Sequence, residues 1–305
     1  MFRIAHLTDP HVGPLPRPLV RELLSKRVTG WFNWHRGRQA IHDMELLAAL
    51  VADIHAQAPD HIACTGDVCN IGLASEWPTS GVFMDKLGPP EMVSFVPGNH
   101  DAYVPGALEG LLRAIGPYSC GDHQTKAAFP YLRRRGPIAL IGLSSAVPTL
   151  PFVASGKMGR RQMKAAAEML AELGRDPDCF RFVMIHHPPH VAGAQAGRNL
   201  TDAAAFEAMI ARVGAEVIVH GHNHVGSLAH LVGPRGPVPV IGAPSASARG
   251  GTLTHKAGYH LFGIGRDETG FLLTAELRGL TPEGTIGGLG MLSLSRLAAP
   301  MARAR

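Results

Sequence analysis

Asp9 and His11 stand two residues apart at the end of an apolar run. A loop can turn that carboxylate and imidazole toward one cation, and Pro10 between them fixes part of the turn without adding a competing side chain. Similar groups recur along the chain. In Thr65-Gly66-Asp67 the glycine permits a tight turn, and the two oxygens of Asp67 can bridge two ions. Pro97-Gly98-Asn99-His100-Asp101 combines a neutral oxygen ligand, Asn99, with His100 as a proton or hydrogen-bond donor. Asp101 could orient that imidazole or point away from it.

His186 and His187 follow the run Phe180 to Ile185. Strand alternation sends them to opposite faces, so His186 is the candidate ligand, His187 packs or hydrogen-bonds behind it, and His190 lines the rim. In His220-Gly221-His222-Asn223-His224 the glycine loosens the chain so that His222 and His224 turn inward together, leaving His220 in the core or behind the ligands. Singly, each group also has a plain reading as a turn carboxylate, a cap or a surface histidine. Together Asp9, His11, Asp67, Asn99, His186, His222 and His224 are too many ligands for one ion. They include no thiolate, which suits Mn, Fe, Zn or Co, as divalent or mixed-valence ions. Two ions about 3.5–4 Å apart, bridged by Asp67, would acidify a shared water and clamp phosphoryl oxygens.

The groups need strands that end together. Phe2 to Leu7, His61 to Cys64, Met92 to Val96, Phe180 to Ile185 and Val217 to Val219 are apolar runs, each closed by Gly, Thr, Asn, Asp or His. Helical spacing separates them, over Asp43 to His55, Leu108 to Ile115, Gly159 to Leu173 and Asp202 to Arg212. This predicts a layered α/β protein presenting its chemistry from the C-terminal ends of buried strands. The other runs, Ile138 to Leu143, Ser227 to Val232, Val238 to Ile241, Tyr259 to Ile264 and Phe271 to Leu277, read as hairpins in a second sheet packed on the first. A single domain over 1–285 with a tail over 286–305 is expected.

Composition narrows the class. With 46% apolar residues in 305 the chain can build a sizeable core, which excludes a disordered or fibrous protein. Cys64, Cys69, Cys120 and Cys179 form no CxxC pair, so free thiols are expected. A net charge of +5 is modest for this length, and a nucleic-acid partner is not expected. No apolar run is long enough to span a bilayer, and Asp9 arrives before any signal-like stretch, so a cytoplasmic protein is expected.

One segment interrupts the scheme. Over 14–40, Leu19, Val20, Leu23, Leu24, Val28 and Trp31 can share a helix face among Arg17, Arg21, Lys26 and Arg27. Gly30 is expected to break that helix before Trp31-Phe32-Asn33-Trp34. The segment can serve as a cap packed on the body, as a lid or homodimer contact anchored by Trp31, Phe32 and Trp34, or, over 14–38, as a peripheral element at the inner membrane face.

In order, Asp9-Pro10-His11, Gly66-Asp67, Gly98-Asn99-His100-Asp101, His186 and Gly221-His222-Asn223-His224 resemble the signature of the calcineurin-like metallophosphoesterase superfamily. In length and in His186-His187-Pro188-Pro189 the chain is similar to bacterial class III cyclic-nucleotide phosphodiesterases. The resemblance implies a four-layered α/β/β/α sandwich of two mixed sheets flanked by helices. It implies one metal on Asp9, His11, Asp67 and His224 and a second on Asp67, Asn99, His186 and His222. A metal-bridging hydroxide would attack a small phosphodiester substrate while His100 serves the leaving group, with Asp101 either orienting it or pointing apart. Alternatives are a membrane-associated pyrophosphatase or phosphodiesterase of lipid-linked nucleotides such as UDP-diacylglucosamine, and a non-catalytic metal-binding scaffold.

Overall fold

The computed structural model describes residues 1–268, 270–292 and 294. Three short strands rich in residues that favour extended backbone, β1 (Phe2–Leu7), β2 (His61–Cys64) and β3 (Val93–Phe95), lie parallel and end level, Leu7 opposite Cys64 and Cys64 opposite Phe95. Beyond β1 the sheet continues antiparallel through β10 (Gly258–Asp267), β11 (Gly270–Leu280) and β12 (Ile286–Leu292). The second sheet runs in the order β4 (Tyr131–Arg135), β5 (Ile138–Gly142), β6 (Phe180–Met184), β7 (Val217–His220), β9 (Gly236–Gly242), β8 (Ser227–Gly233). Its four central strands are parallel and its two outer ones antiparallel.

Period-two alternation builds the layers. Ile4, Phe180, Phe182, Met184, Val217, Val219 and Phe262 fill the space between the sheets. Residues one step away face helices instead. Ala5, Leu7, Ile62 and Cys64 pack with α4 (Met44–Ala56), α5 (Trp77–Leu87) and α6 (Ala107–Ile115). Val183, Ile185 and Ile218 pack with α7 (Arg160–Leu173) and α8 (Ala203–Val213). The result is the expected mixed-sheet sandwich flanked by helices. The start of α4 is set by Asp43, whose carboxylate accepts from the backbone N–H groups of Glu45 and Leu46.

Three sequence expectations change. The later hairpins do not make up a separate sheet: β10 and β11 extend the sheet of β1, while β6 and β7, read with the first strands, belong to the second. Residues Ile286–Leu292, expected in the tail, form an edge strand on β11, and the tail beyond 294 lies outside the described residues. The insertion is not one helix. It folds as α1 (Val20–Leu23), α2 (Arg27–Asn33), a π-helical turn over Trp34–Arg38 and α3 (Gln39–Ile41). Gly30 lies inside α2, where a Cβ would meet the Tyr103 hydroxyl at 2.4 Å, so its role is close packing and not helix breaking. Trp34 is buried, stacked on the His42 ring, and is therefore no free anchor for a partner. No helix among the described residues is long and apolar enough to cross a membrane.

At the far end of β2, away from the clustered loops, His61 is buried and its Nε2 lies 2.8 Å from the Ser94 hydroxyl. Burial, then nearby Arg133, pushes its imidazolium down to about 3. The unfolded chain takes up this proton first, so the fold loses stability as pH falls from about 6.5 toward 3, by up to about 1.4 kcal/mol per pH unit for one proton. We expect His61→Gln to flatten the stability-versus-pH curve across that window, read from urea unfolding at several pH values. An unchanged slope would show that His61 does not contribute to it.

Candidate metal centre

Five loops converge where the parallel strands end. Thr8–His11 follows β1, Thr65–Asp67 follows β2, Gly98–Asp101 follows β3, His186 follows β6, and Gly221–His224 follows β7. Converging side chains from such sharp exits requires unusual backbone. Of the seven non-glycine residues with positive φ among the described residues, five are candidate ligands: Asp9, His11, Asp67, His222 and His224. At φ between 41° and 68° these β-carbons crowd their own backbone, a strain that persists only where the surroundings hold it. The packing is tight. A Cβ on Gly98 would lie 2.2 Å from Asp67 Oδ1, and one on Gly221 would lie 2.5 Å from Asp9 Oδ2.

The seven candidate ligands meet. His224 Nε2 is 3.1 Å from Asp9 Oδ1 and 3.3 Å from His11 Nε2. Asn99 Oδ1 is 3.2 Å from His186 Nε2 and 2.8 Å from His222 Nδ1. Asp67 lies between the two groups: its carboxylate clusters both with His11 and with Asp9 and His186, and its Oδ2 is 3.4 Å from His186 Nε2. Backbone carbonyls fix two tautomers. His11 Nδ1 is 3.2 Å from the Cys69 oxygen and His186 Nδ1 is 2.7 Å from the Thr65 oxygen, so each ring turns Nε2 inward. His222 Nε2 is buried with no hydrogen-bond partner.

The charges also suit cations. Burial opposes ionisation of Asp9 and Asp67, yet His224 and His186 beside Asp9, and His186 and His100 beside Asp67, hold both below the usual carboxylate range. Burial likewise opposes a charge on His186, but Asp67 and Asp9 raise it to about 9. A proton on His186 thus occupies the field that a metal ion would satisfy. The oxygen and imidazole donors, the orphaned His222 nitrogen and the two buried carboxylates fit a pair of divalent ions of the Mn, Fe, Zn or Co type. His187 lies near this group but is already committed, with Nδ1 at 2.7 Å from Ser145 Oγ and Nε2 at 3.0 Å from the Ala154 carbonyl. His220 remains in β7, its Nδ1 3.0 Å from the Gly221 oxygen.

Asp101 does not orient His100. Its buried carboxylate accepts from the backbone N–H groups of Asp67, Cys69 and Gly98, bracing two ligand loops against each other. The reason is chain direction: in the turn after β3, adjacent side chains diverge, and the one that turns inward finds three unpaired N–H groups. His100 is oriented by the Asn70 carbonyl at its Nδ1. Its Nε2 lies 2.9 Å from Arg38 Nη1, while Arg38 Nη2 lies 2.9 Å from His11 Nε2. Burial, then this guanidinium, pushes the His100 imidazolium down to about 3, so near neutrality the ring is uncharged and accepts from Arg38.

Arg38 carries no motif in the sequence. It comes from the π-helical turn of the insertion, which also buries Trp34, and such turns often mark functional positions. Lys26, Arg38 and Arg198 line a cavity of about 470 Å³ above the ligand cluster, together with Tyr103, Phe152 and His100. Among the described residues none of these three cations has a carboxylate within ion-pair distance. Lys26 Nζ instead donates to the Thr149 hydroxyl and the Val153 carbonyl, 2.6 and 2.8 Å away. The available signal was the basic character of the insertion, without a means of telling which basic groups turn inward.

Residues 2–226 match the family model described as calcineurin-like phosphoesterase, so the chain belongs to that family. No curated protein matches it. Among solved structures it is similar to a dimetal phosphatase from Danio rerio, at 13% identity and a TM-score of 0.62 over 98% of this chain and 99% of that one. It is also similar to a 5'-nucleotidase precursor from Thermus thermophilus, at 19% identity and a TM-score of 0.55, covering 93% of this chain and 55% of that one. A purple acid phosphatase from yellow lupin seeds matches at 12% identity and a TM-score of 0.58, over 94% and 52%. These likenesses establish a shared fold.

Proposed function

We propose that the protein is a phosphodiesterase acting on small phosphoric diesters. The observation that carries this reading is the cavity beyond the ligand cluster, where Lys26, Arg38 and Arg198 stand without carboxylate partners beside Tyr103 and Phe152. A phosphate seated at the ligands leaves that space for a second ester substituent. When bound, the metal ions supply Lewis acidity to the phosphoryl oxygens and lower the pKa of an attacking water. Arg38 leaves the two imidazoles for a non-bridging oxygen, where its paired N–H groups favour developing charge. Withdrawal of Arg38 removes a neighbouring positive charge from His100, whose Nδ1–H is held by the Asn70 carbonyl, so Nε2 can take up a proton from solvent and pass it to the leaving-group oxygen.

Lys26 and Arg198 favour a second reading, in which the scissile diester is a pyrophosphate linkage and these cations hold the neighbouring phosphate. Lipid-linked nucleotides such as UDP-diacylglucosamine are substrates of that kind. Turnover of Mn-loaded protein should be compared on bis-p-nitrophenyl phosphate, p-nitrophenyl phosphate, cyclic nucleotides and nucleoside diphosphate esters. Diesters are expected to exceed the monoester in kcat/KM by roughly tenfold or more, the scale of one well-placed polar contact. A monoester preference of that size would replace the diester reading with a phosphatase. A Lys26→Ala penalty confined to pyrophosphate substrates would favour the second reading over the first.

A further inference from the structure

The charge of the chain is concentrated in one place. Residues 14–41 contain six basic residues, Arg17, Arg21, Lys26, Arg27, Arg36 and Arg38, and one acidic residue, Glu22. The remaining sequence holds 23 basic and 23 acidic residues, so this insertion carries the entire net charge of +5. Three of its cations, Arg17, Arg21 and Arg36, are exposed.

The same segment exposes large apolar side chains. Val20 is 81% exposed, Leu24 85% and Phe32 57%. In the segment after β5, Leu150 is 76% exposed and Phe152, held at a positive φ of 64°, is 86% exposed. Lys26 joins the two elements through its hydrogen bonds to Thr149 and Val153, and Lys26 and Phe152 both line the catalytic cavity. Exposed Phe152 therefore borders the cavity, and the basic, apolar-bearing insertion is tied beside it through Lys26.

We propose that this patch docks on an anionic phospholipid surface, with Val20, Leu24, Phe152 and their neighbours entering the headgroup region and Arg17, Arg21 and Arg36 meeting lipid phosphates. Apolar insertion and basic attraction are separately weak and together sufficient for peripheral binding. Charge selects the lipid over a second copy of the chain. A face-to-face dimer would bring two segments of +5 together, and the charge-balanced body offers no net acidic excess to offset them. The helices involved are too short to span, so the contact is peripheral, and Phe152 brings it to the edge of the cavity. The docking stands independently of which diester is cleaved.

The test is co-sedimentation of the full chain with phosphatidylcholine vesicles and with vesicles containing phosphatidylglycerol. Binding is expected to the anionic vesicles only and to weaken as salt is raised. Val20→Asp/Leu24→Asp and Arg17→Glu/Arg21→Glu should each lower partitioning by at least about tenfold. A control, Lys164→Glu/Arg175→Glu on exposed α7 and the residues after it, changes charge equally and should bind as the parent does. Circular dichroism and turnover of a soluble diester confirm that the variants are folded. Failure of the parent chain to bind anionic vesicles overturns the proposal, as does equal loss in the control. A concentration-dependent dimer that Val20→Asp/Leu24→Asp converts to monomer, without vesicle binding, would assign the face to a second copy instead.

Discussion

Asp67→Asn is expected to cut turnover by at least about 10³-fold and to lower bound metal below two ions per chain. Removing one transition-state donor costs about 10²–10³-fold, and here two ions would lose a shared carboxylate. Asp67 clusters with His11 on one side and with Asp9 and His186 on the other, so no neighbour can replace it. Asparagine keeps the shape and can still accept the His100 backbone N–H at Oδ1, so the loop remains supported. The measurement is metal content by mass spectrometry beside kcat for a diester. Two ions per chain with activity within about threefold of the parent would remove Asp67 from its bridging role. Full metal content with no turnover in either protein would favour the non-catalytic scaffold.

The second large effect is expected at Arg38. Arg38→Ala should reduce kcat/KM by about 10²-fold, the scale of one preorganised donor to developing charge. Metal content should stay at or above that of the parent, because the guanidinium lies against His11 Nε2 and competes with a cation there. Arg38→Lys should recover only part of the loss. An ammonium is a point charge and cannot span His11 and His100 with two parallel donors. Unchanged kcat/KM in Arg38→Ala would mean that the guanidinium does not touch the reacting phosphate. A matching fall in metal content would mean that it acts by supporting the ligand cluster.

The clustering of the candidate ligands is legible because the pattern is local. Asp9-Pro10-His11 or Gly221-His222-Asn223-His224 needs only an apolar run before it to be placed at a strand end, and the runs were found within a residue or two of β1, β2, β3, β6 and β7. Sheet membership was not legible. A parallel strand buried on both faces reads alike in either sheet, so only the packing of Phe180, Phe182 and Met184 against Ile4 and Phe262 across the central layer separates β6 from β2. β4 leaves no strand signal because Leu132-Arg133-Arg134-Arg135 lacks apolar alternation; the buried Arg133 is satisfied by the Cys120 and Val93 carbonyls. Of the two orientations open to Asp101, the structure takes the one pointing away from His100, because adjacency in sequence is not adjacency in space within a turn. Arg38 is not legible because an arginine's destination depends on the turn that carries it, and a π-helical turn leaves little trace in composition.

The left-handed backbone of Asp9, His11, Asp67, His222 and His224 has a bearing on how the protein can be improved or can drift. At each of these positions a glycine would sit more comfortably, so selection for thermal robustness alone would erode the donors one at a time. Stability and chemistry compete there for the same five residues, and stabilising changes should be sought in the helical outer layers, where neither backbone nor side chain is committed to the centre.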